Sequence, residues 1–138
     1  MLLIEHYVGP STIHGLGVFV AVDVPKGALL WEFNPLIDRM IPSGMLTSLP
    51  PHVQAQVERH SEYYPEIGCY VLGGDGDYFM NHADHANLVS APGEWHRGYA
   101  DRDIACGEEL TCDYRETLTN SLAGRRDPMA ALVPEPTS

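Results

Sequence analysis

Positive charge is scarce in this chain. Eight Lys and Arg face nineteen Asp and Glu among 138 residues, a formal net charge of −11 at pH 7. That balance argues against a nucleic-acid backbone as partner, because phosphate binding depends on clustered Lys and Arg. It is compatible with a cationic partner such as a Lys/Arg-rich peptide, attracted over a Debye length of about 10 Å. Solubility alone is the simpler account of the charge. Cysteine is sparse too. Cys69, Cys106 and Cys112 are odd in number and lack CxxC spacing, which argues against a disulfide framework or structural zinc and for a reducing, cytoplasmic compartment. No stretch approaches the ~20 apolar residues of a membrane helix, so no membrane partner is expected. The opening Met1-Leu2-Leu3-Ile4-Glu5-His6 has no basic region of the kind that starts a signal peptide.

Glycine and proline, in contrast, are plentiful, at 13 and 11 residues. They favour short strands and turns over long helices, within a chain sized for one domain and a single core. Strands are expected at 2–8, 17–22, 28–33, 69–72, 88–90, 98–100 and 109–112. One helical stretch is expected at 43–62, with Ser48 as cap, Pro50 and Pro51 in its first turn, and Val53 and Val57 on one face. From Leu118 the periodicity fades. The end, Pro134-Glu135-Pro136-Thr137-Ser138, reads as disordered. No internal repeat is evident.

Several clusters carry chemistry. His14-Gly15-Leu16-Gly17 sets two glycines around one residue before a strand, which suits either a turn or a loop wrapped on a nucleotide-like ligand. It lacks the third glycine and following helix of a dinucleotide fingerprint. Asn81, His82 and Asn87 offer directional donors and acceptors, for an adenine edge, a charged amine, or neighbouring backbone. His82, Asp84 and His85 have metal-ligand chemistry in loose spacing, which would suit a small metal-dependent hydrolase. Glu108 and Glu109 adjoin in a strand and so point to opposite faces, with Glu108 expected in solvent. Tyr114 closes an apolar strand beside Asp113 and can place a hydroxyl in a cavity.

Taken in order, these pieces resemble the SET-domain protein lysine methyltransferases. The resemblance runs through His14-Gly15-Leu16-Gly17-Val18-Phe19-Val20-Ala21, Pro25-Lys26-Gly27, Tyr78-Phe79-Met80-Asn81-His82, Asn87, Ala100-Asp101-Arg102-Asp103-Ile104 and Gly107-Glu108-Glu109-Leu110-Thr111-Cys112-Asp113-Tyr114. Each segment alone is common; the ordered set carries the likeness. It implies a mainly β fold of several small antiparallel sheets, with a short helical insert at 36–70 and a knot-like C-terminal core. The catalytic domain would span 1–117, followed by an extension at 118–138. The resemblance further implies S-adenosylmethionine as methyl donor and a lysine amine of a protein or peptide as acceptor, with no metal. His14, Gly15, Leu16, Gly17, Asn81 and His82 would hold the donor, and Tyr114 would be the catalytic Tyr of the methyl-transfer channel.

The sequence departs from the family pattern in places. Ala83, Asp84 and Ala86 stand where Ser, Cys and Pro are usual. Cys112 replaces a common aromatic, which would widen the amine pocket and admit higher methylation states. Phe33 lies near the position of another channel Tyr. The cysteine-rich zinc tail of many members is missing, so residues 115–133 or a partner would close the channel; in this the chain resembles bacterial or viral members. A non-catalytic module binding donor or peptide is the alternative reading. A homodimer stays open.

Overall fold

The computed structural model describes residues 1–113. Tyr114, the expected closing segment 115–133, the boundary at 117 and the extension 118–138 lie outside these residues. Ten strands and one α-helix follow in order: β1 (His6–Pro10), β2 (Leu16–Val20), β3 (Leu29–Glu32), β4 (Arg39–Pro42), α1 (Pro51–His60), β5 (Ser61–Tyr64), β6 (Cys69–Leu72), β7 (Asn81–His82), β8 (Leu88–Val89), β9 (Arg97–Ala100) and β10 (Glu109–Cys112). Two 3-10 turns, Ser43–Ser48 and Gly76–Phe79, complete the set.

Seven strands form one curled sheet in the order β1-β2-β10-β8-β9-β3, with β7 also on β10. The valines of β2 favour extended backbone, and both edges of the strand are paired. It lies antiparallel to β1 along its whole length and to β10 at Phe19 and Val18. Val18 and Val20 are fully buried in consequence, in a core with Leu30, Trp31, Leu88, Ile104 and Leu110. Past Leu110, β10 leaves β2 and runs parallel between β7 and β8, with Cys112 registered on both His82 and Leu88. The 83–87 connection therefore straddles β10, which makes the knot-like core.

Asn87 completes that core. Its side chain behaves as an extra strand residue: Nδ2 donates to the Glu109 carbonyl at 2.9 Å and Oδ1 accepts from the Thr111 N–H at 2.8 Å. The Asn87 N–H reaches Thr111 Oγ1 at 3.3 Å. At 2% exposure Asn87 has no water to fall back on, so these bonds are obligatory.

A short repeat, not evident from the sequence analysis, emerges here: Asp23, Val24, Gly27 and Leu30 correspond to Asp103, Ile104, Gly107 and Leu110. Residues 23–30 and 103–110 form matching turn-and-strand units that clasp each other. Val24 and Ile104 exchange N–H to carbonyl bonds of 2.8 Å both ways. The Lys26 N–H donates to Asp103 Oδ1 and the Cys106 N–H to Asp23 Oδ1, each at 2.8 Å. Gly27 and Gly107 turn each corner at φ 86° and 90°, a region that disfavours any Cβ.

The remaining strands, β4, β6 and β5 in that order, form a separate antiparallel sheet. Leu46, Val57 and Tyr70 give it a small core of its own. The helix expected at 43–62 is broken: the 3-10 turn ends at Ser48 and α1 starts only at Pro51. Pro50 and Pro51 lack N–H groups, so they open a helix but cannot continue one. Ser48 is no cap, since its hydroxyl donates back to the Met45 carbonyl at 2.6 Å, and Pro50 occupies the cap position without a side-chain bond. The strand expected at 2–8 starts at His6 instead, because Leu2 pairs locally with Trp31.

Candidate active site

The glycine loop is held by one amide. Asn81 Nδ2 lies 3.1 Å from Ser11 Oγ, 3.1 Å from the His14 carbonyl, 3.0 Å from the Leu16 carbonyl and 2.9 Å from Glu109 Oε2, so its two hydrogens are shared among four acceptors. The Ser11 hydroxyl bonds the Glu109 carboxylate at 2.7 Å and accepts from the Ile13 N–H at 2.9 Å. Gly17 makes room for this arrangement, since a Cβ there would strike the Glu109 carboxylate. Ser11 and Glu109 were missed as site residues. Their signal, a hydroxyl and a strand acid far apart in sequence, becomes visible only when β2 and β10 pair. Glu108 is exposed, and its Oε1 accepts from the Ala105 N–H.

Beside the loop opens a cleft of about 670 Å³, lined by His14, Gly15, Leu16, Tyr78, Phe79, Met80, Asn81 and His82. All the expected donor-binding residues except buried Gly17 are in that lining. The size is that of a small-molecule or cofactor site. Ile13 and Leu16, about half exposed, put apolar surface at its mouth. Tyr78 stacks on His60 at 4.0 Å, held by Gln56 Nε2 to its hydroxyl at 2.7 Å. Aromatic faces, loop carbonyls and an imidazole suit a ligand with an adenine and an ammonium-bearing end, so these residues fit S-adenosylmethionine. His82 itself stands between two carboxylates, Nε2 at 3.1 Å from Asp84 and Nδ1 at 3.7 Å from Asp113.

A second, smaller cavity of about 80 Å³ backs onto this cleft. Arg59, His60 and Met80 line both. Trp31, Tyr64, Asp77, Leu88, Cys112 and Asp113 also face the small cavity. Cys112 thus sits at a cavity wall. Phe33 does not join it: it packs on Trp95 at 5.3 Å and lines a different groove with residues 35–40. Trp31 and Tyr64 supply the aromatic walls instead, which the motif spacing did not indicate.

Asp77 lies at the edge of an acidic knot. One oxygen each of Asp38, Asp75 and Asp77 falls within 4.8 Å of the others, and the Met1 ammonium sits 2.6 Å from Asp38 and 4.0 Å from Asp77. Burial, then the hydrogen bond with Asp75 and its charge, push the Asp77 carboxyl up to about 8, against the opposing pull of the Met1 ammonium and the Trp31 N–H. Burial pushes Asp75 up as well, but its bonds to Asp77 and to the Leu2 and Asp77 N–H groups outweigh that and hold it below the usual range. Unfolded Asp77 ionises near ~3.9. Between that value and about 8 the folded state holds a proton that the unfolded state has lost, so this residue's contribution falls as pH rises and levels off above 8. Asp77→Asn removes that dependence. The gap between variant and wild-type thermal midpoints should widen from pH 5 to pH 8, and parallel curves would refute the assignment.

The hydrolase reading finds no geometry. Among the described residues, the only three-member group close enough to share an ion is Asp38, Asp75 and Asp77; His82 meets Asp84, but His85 does not complete a set with them. No disulfide joins Cys69, Cys106 and Cys112, and no helix among the described residues is long and apolar enough to cross a membrane.

The SET domain family model matches residues 15–115. No curated protein sequence matches the chain. A Plasmodium falciparum crystal structure assigned as a histone methyltransferase is similar at 18% identity and a TM-score of 0.54, covering 82% of this chain and 95% of that one. A humanized mutant of the Chaetomium thermophilum Polycomb Repressive Complex 2, solved with an inhibitor, is similar at 22% identity and a TM-score of 0.59. There the match covers 82% of this chain but 15% of the other.

Proposed function

The chain belongs to the SET-domain family, and from that premise we propose that it is a protein lysine N-methyltransferase using S-adenosylmethionine. The observation that carries the reading is the pair of cavities meeting at Arg59, His60 and Met80, one framed by the glycine loop and the other ending at Cys112 and Asp113. Donor and acceptor would enter from the two sides, and Tyr114 follows directly on Asp113.

When bound, the cofactor supplies a methyl group on a sulfonium. His14, Leu16, Asn81 and His82 would hold it, the first two through the carbonyls that Asn81 already aligns. The rest of the task is alignment of an amine, which proximity alone can accelerate greatly. That amine must be neutral to react, whereas free lysine has a pKa near ~10.4. Apolar walls at Trp31, Leu88 and Cys112 exclude water and disfavour the ammonium. Tyr114 would orient the amine through its hydroxyl. A net charge of −11 suits a Lys/Arg-rich protein as substrate, in a cytoplasmic setting.

Transfer of label from methyl-tritiated S-adenosylmethionine to a lysine-rich protein tests this, with Tyr114→Phe as the control expected to lose transfer. Donor binding by calorimetry without label transfer to any protein mixture would instead favour a non-catalytic binding module.

A further inference from the structure

The two cavities differ in charge. Among the described residues no Asp or Glu lines the larger cleft, in a chain that carries nineteen of them. The smaller cavity, in contrast, has Glu62 and Asp113 in its wall. Arg59 is the one Lys or Arg in either lining, and it belongs to both. Arg97 is tied to Glu32 at 3.1 Å, and Arg102 to the His85 and Ala86 carbonyls at 3.3 Å. Arg59 is different: it is exposed, and its guanidinium has no partner among the described residues.

The end of α1 gives this charge its place. Arg59 is the penultimate residue of the helix. The next residue, His60, stacks on Tyr78 and reaches the Tyr78 carbonyl through Nδ1 at 3.1 Å. The Ser61 hydroxyl then donates back to the Val57 carbonyl. The last turn is thereby fastened to the cleft wall, with Arg59 where the two cavities meet.

S-adenosylmethionine carries one full negative charge, the carboxylate of its amino-acid end. None of His14, Gly15, Leu16, Asn81 and His82 has a permanent positive charge to meet it. A carboxylate leaving water for an acidic protein needs such a partner. A guanidinium suits it best, offering two parallel N–H donors to its two oxygens.

We propose that Arg59 binds the donor's carboxylate, so that a residue of the 36–70 insert selects the amino-acid end of the donor. The inference rests on the methyltransferase reading above. It also accounts for the division of charge. The anionic end of the donor meets Arg59, and the cationic amine enters on the side of Glu62 and Asp113.

The test is calorimetry with S-adenosylmethionine and with its decarboxylated form, which keeps the adenosine, the sulfonium and the amine. Wild type should prefer the carboxylated donor by about 10-fold, the size of a charge-assisted contact. Arg59→Gln should lose that preference, binding S-adenosylmethionine about 10-fold more weakly and the decarboxylated form within about twofold of wild type. Arg59→Lys should keep part of it, as a point charge without the fork. The residue is exposed, so the fold is retained. Binding of the two ligands that is unchanged or equally reduced in Arg59→Gln overturns the inference. A wild type indifferent to the carboxylate does so too, and that result needs no variant. Either outcome leaves the methyltransferase reading standing, because wild type still binds the donor. Wild type that binds neither ligand overturns both.

Discussion

Asn87→Ala should lower the unfolding free energy by about 3–5 kcal/mol, the sum of two stranded backbone groups and a small void. The Glu109 carbonyl and the Thr111 N–H both lose their partner, in a region sealed from water. For a domain whose whole stability is about 5–15 kcal/mol, that is a drop of roughly 10–20 °C in the thermal midpoint. Asn87→Asp is the informative companion. It keeps an acceptor for Thr111 but turns a second oxygen toward the Glu109 carbonyl, and it should be no more stable than the alanine variant. Thermal unfolding by circular dichroism reads both. A midpoint within 3 °C of wild type for Asn87→Ala would mean that the amide is not what clasps β10.

Removal of the Asn81 amide should act on ligand affinity more than on folding. The loop at residues 11–16 hangs on that group through the His14 and Leu16 carbonyls. Without it, about two residues must be ordered by the ligand itself, at roughly 1–2 kcal/mol each. S-adenosylmethionine affinity should therefore fall about 100-fold in Asn81→Ala, since each ~1.4 kcal/mol is tenfold. Calorimetry measures the affinity, and circular dichroism shows whether the sheet survives. Asn81→Asp should be worse still, because Glu109 Oε2 lies 2.9 Å from the substituted atom and two carboxylates would then face each other. A loss below threefold in the alanine variant would detach Asn81 from the proposed cofactor-binding role.

Much of this architecture was legible from residue types. The β-branched and apolar runs at 17–22, 28–33, 69–72 and 109–112 became β2, β3, β6 and β10, because burial on both sides leaves such residues little alternative. The elements that escaped have weak local signals. Arg39–Pro42 is charged and ends in proline, Asn81–His82 is two residues long, and Ser61–Tyr64 follows the helix without a break. Asn81, His82 and the glycine loop were grouped through the family resemblance, and they line one cleft. Asp77 was not. It sits in a run, Gly73-Gly74-Asp75-Gly76-Asp77, that reads as a solvated turn; only the packing of Trp31 and Met1 against it shows that one of those acids is buried.

The placement of β10 has a bearing on how the protein is made. A ribosome delivers β2, β7, β8 and β9 long before residues 109–112, yet the last of these strands belongs in the middle of the sheet. Until it emerges, β2 and β8 each lack a neighbour, and Asn87 waits with its amide unpaired. Nascent chains stalled ahead of Glu109 would therefore carry open strand edges, the surfaces on which chains pair with one another. Glu109 at the start of β10 and Cys112 at its end then reach the glycine loop and the small cavity together.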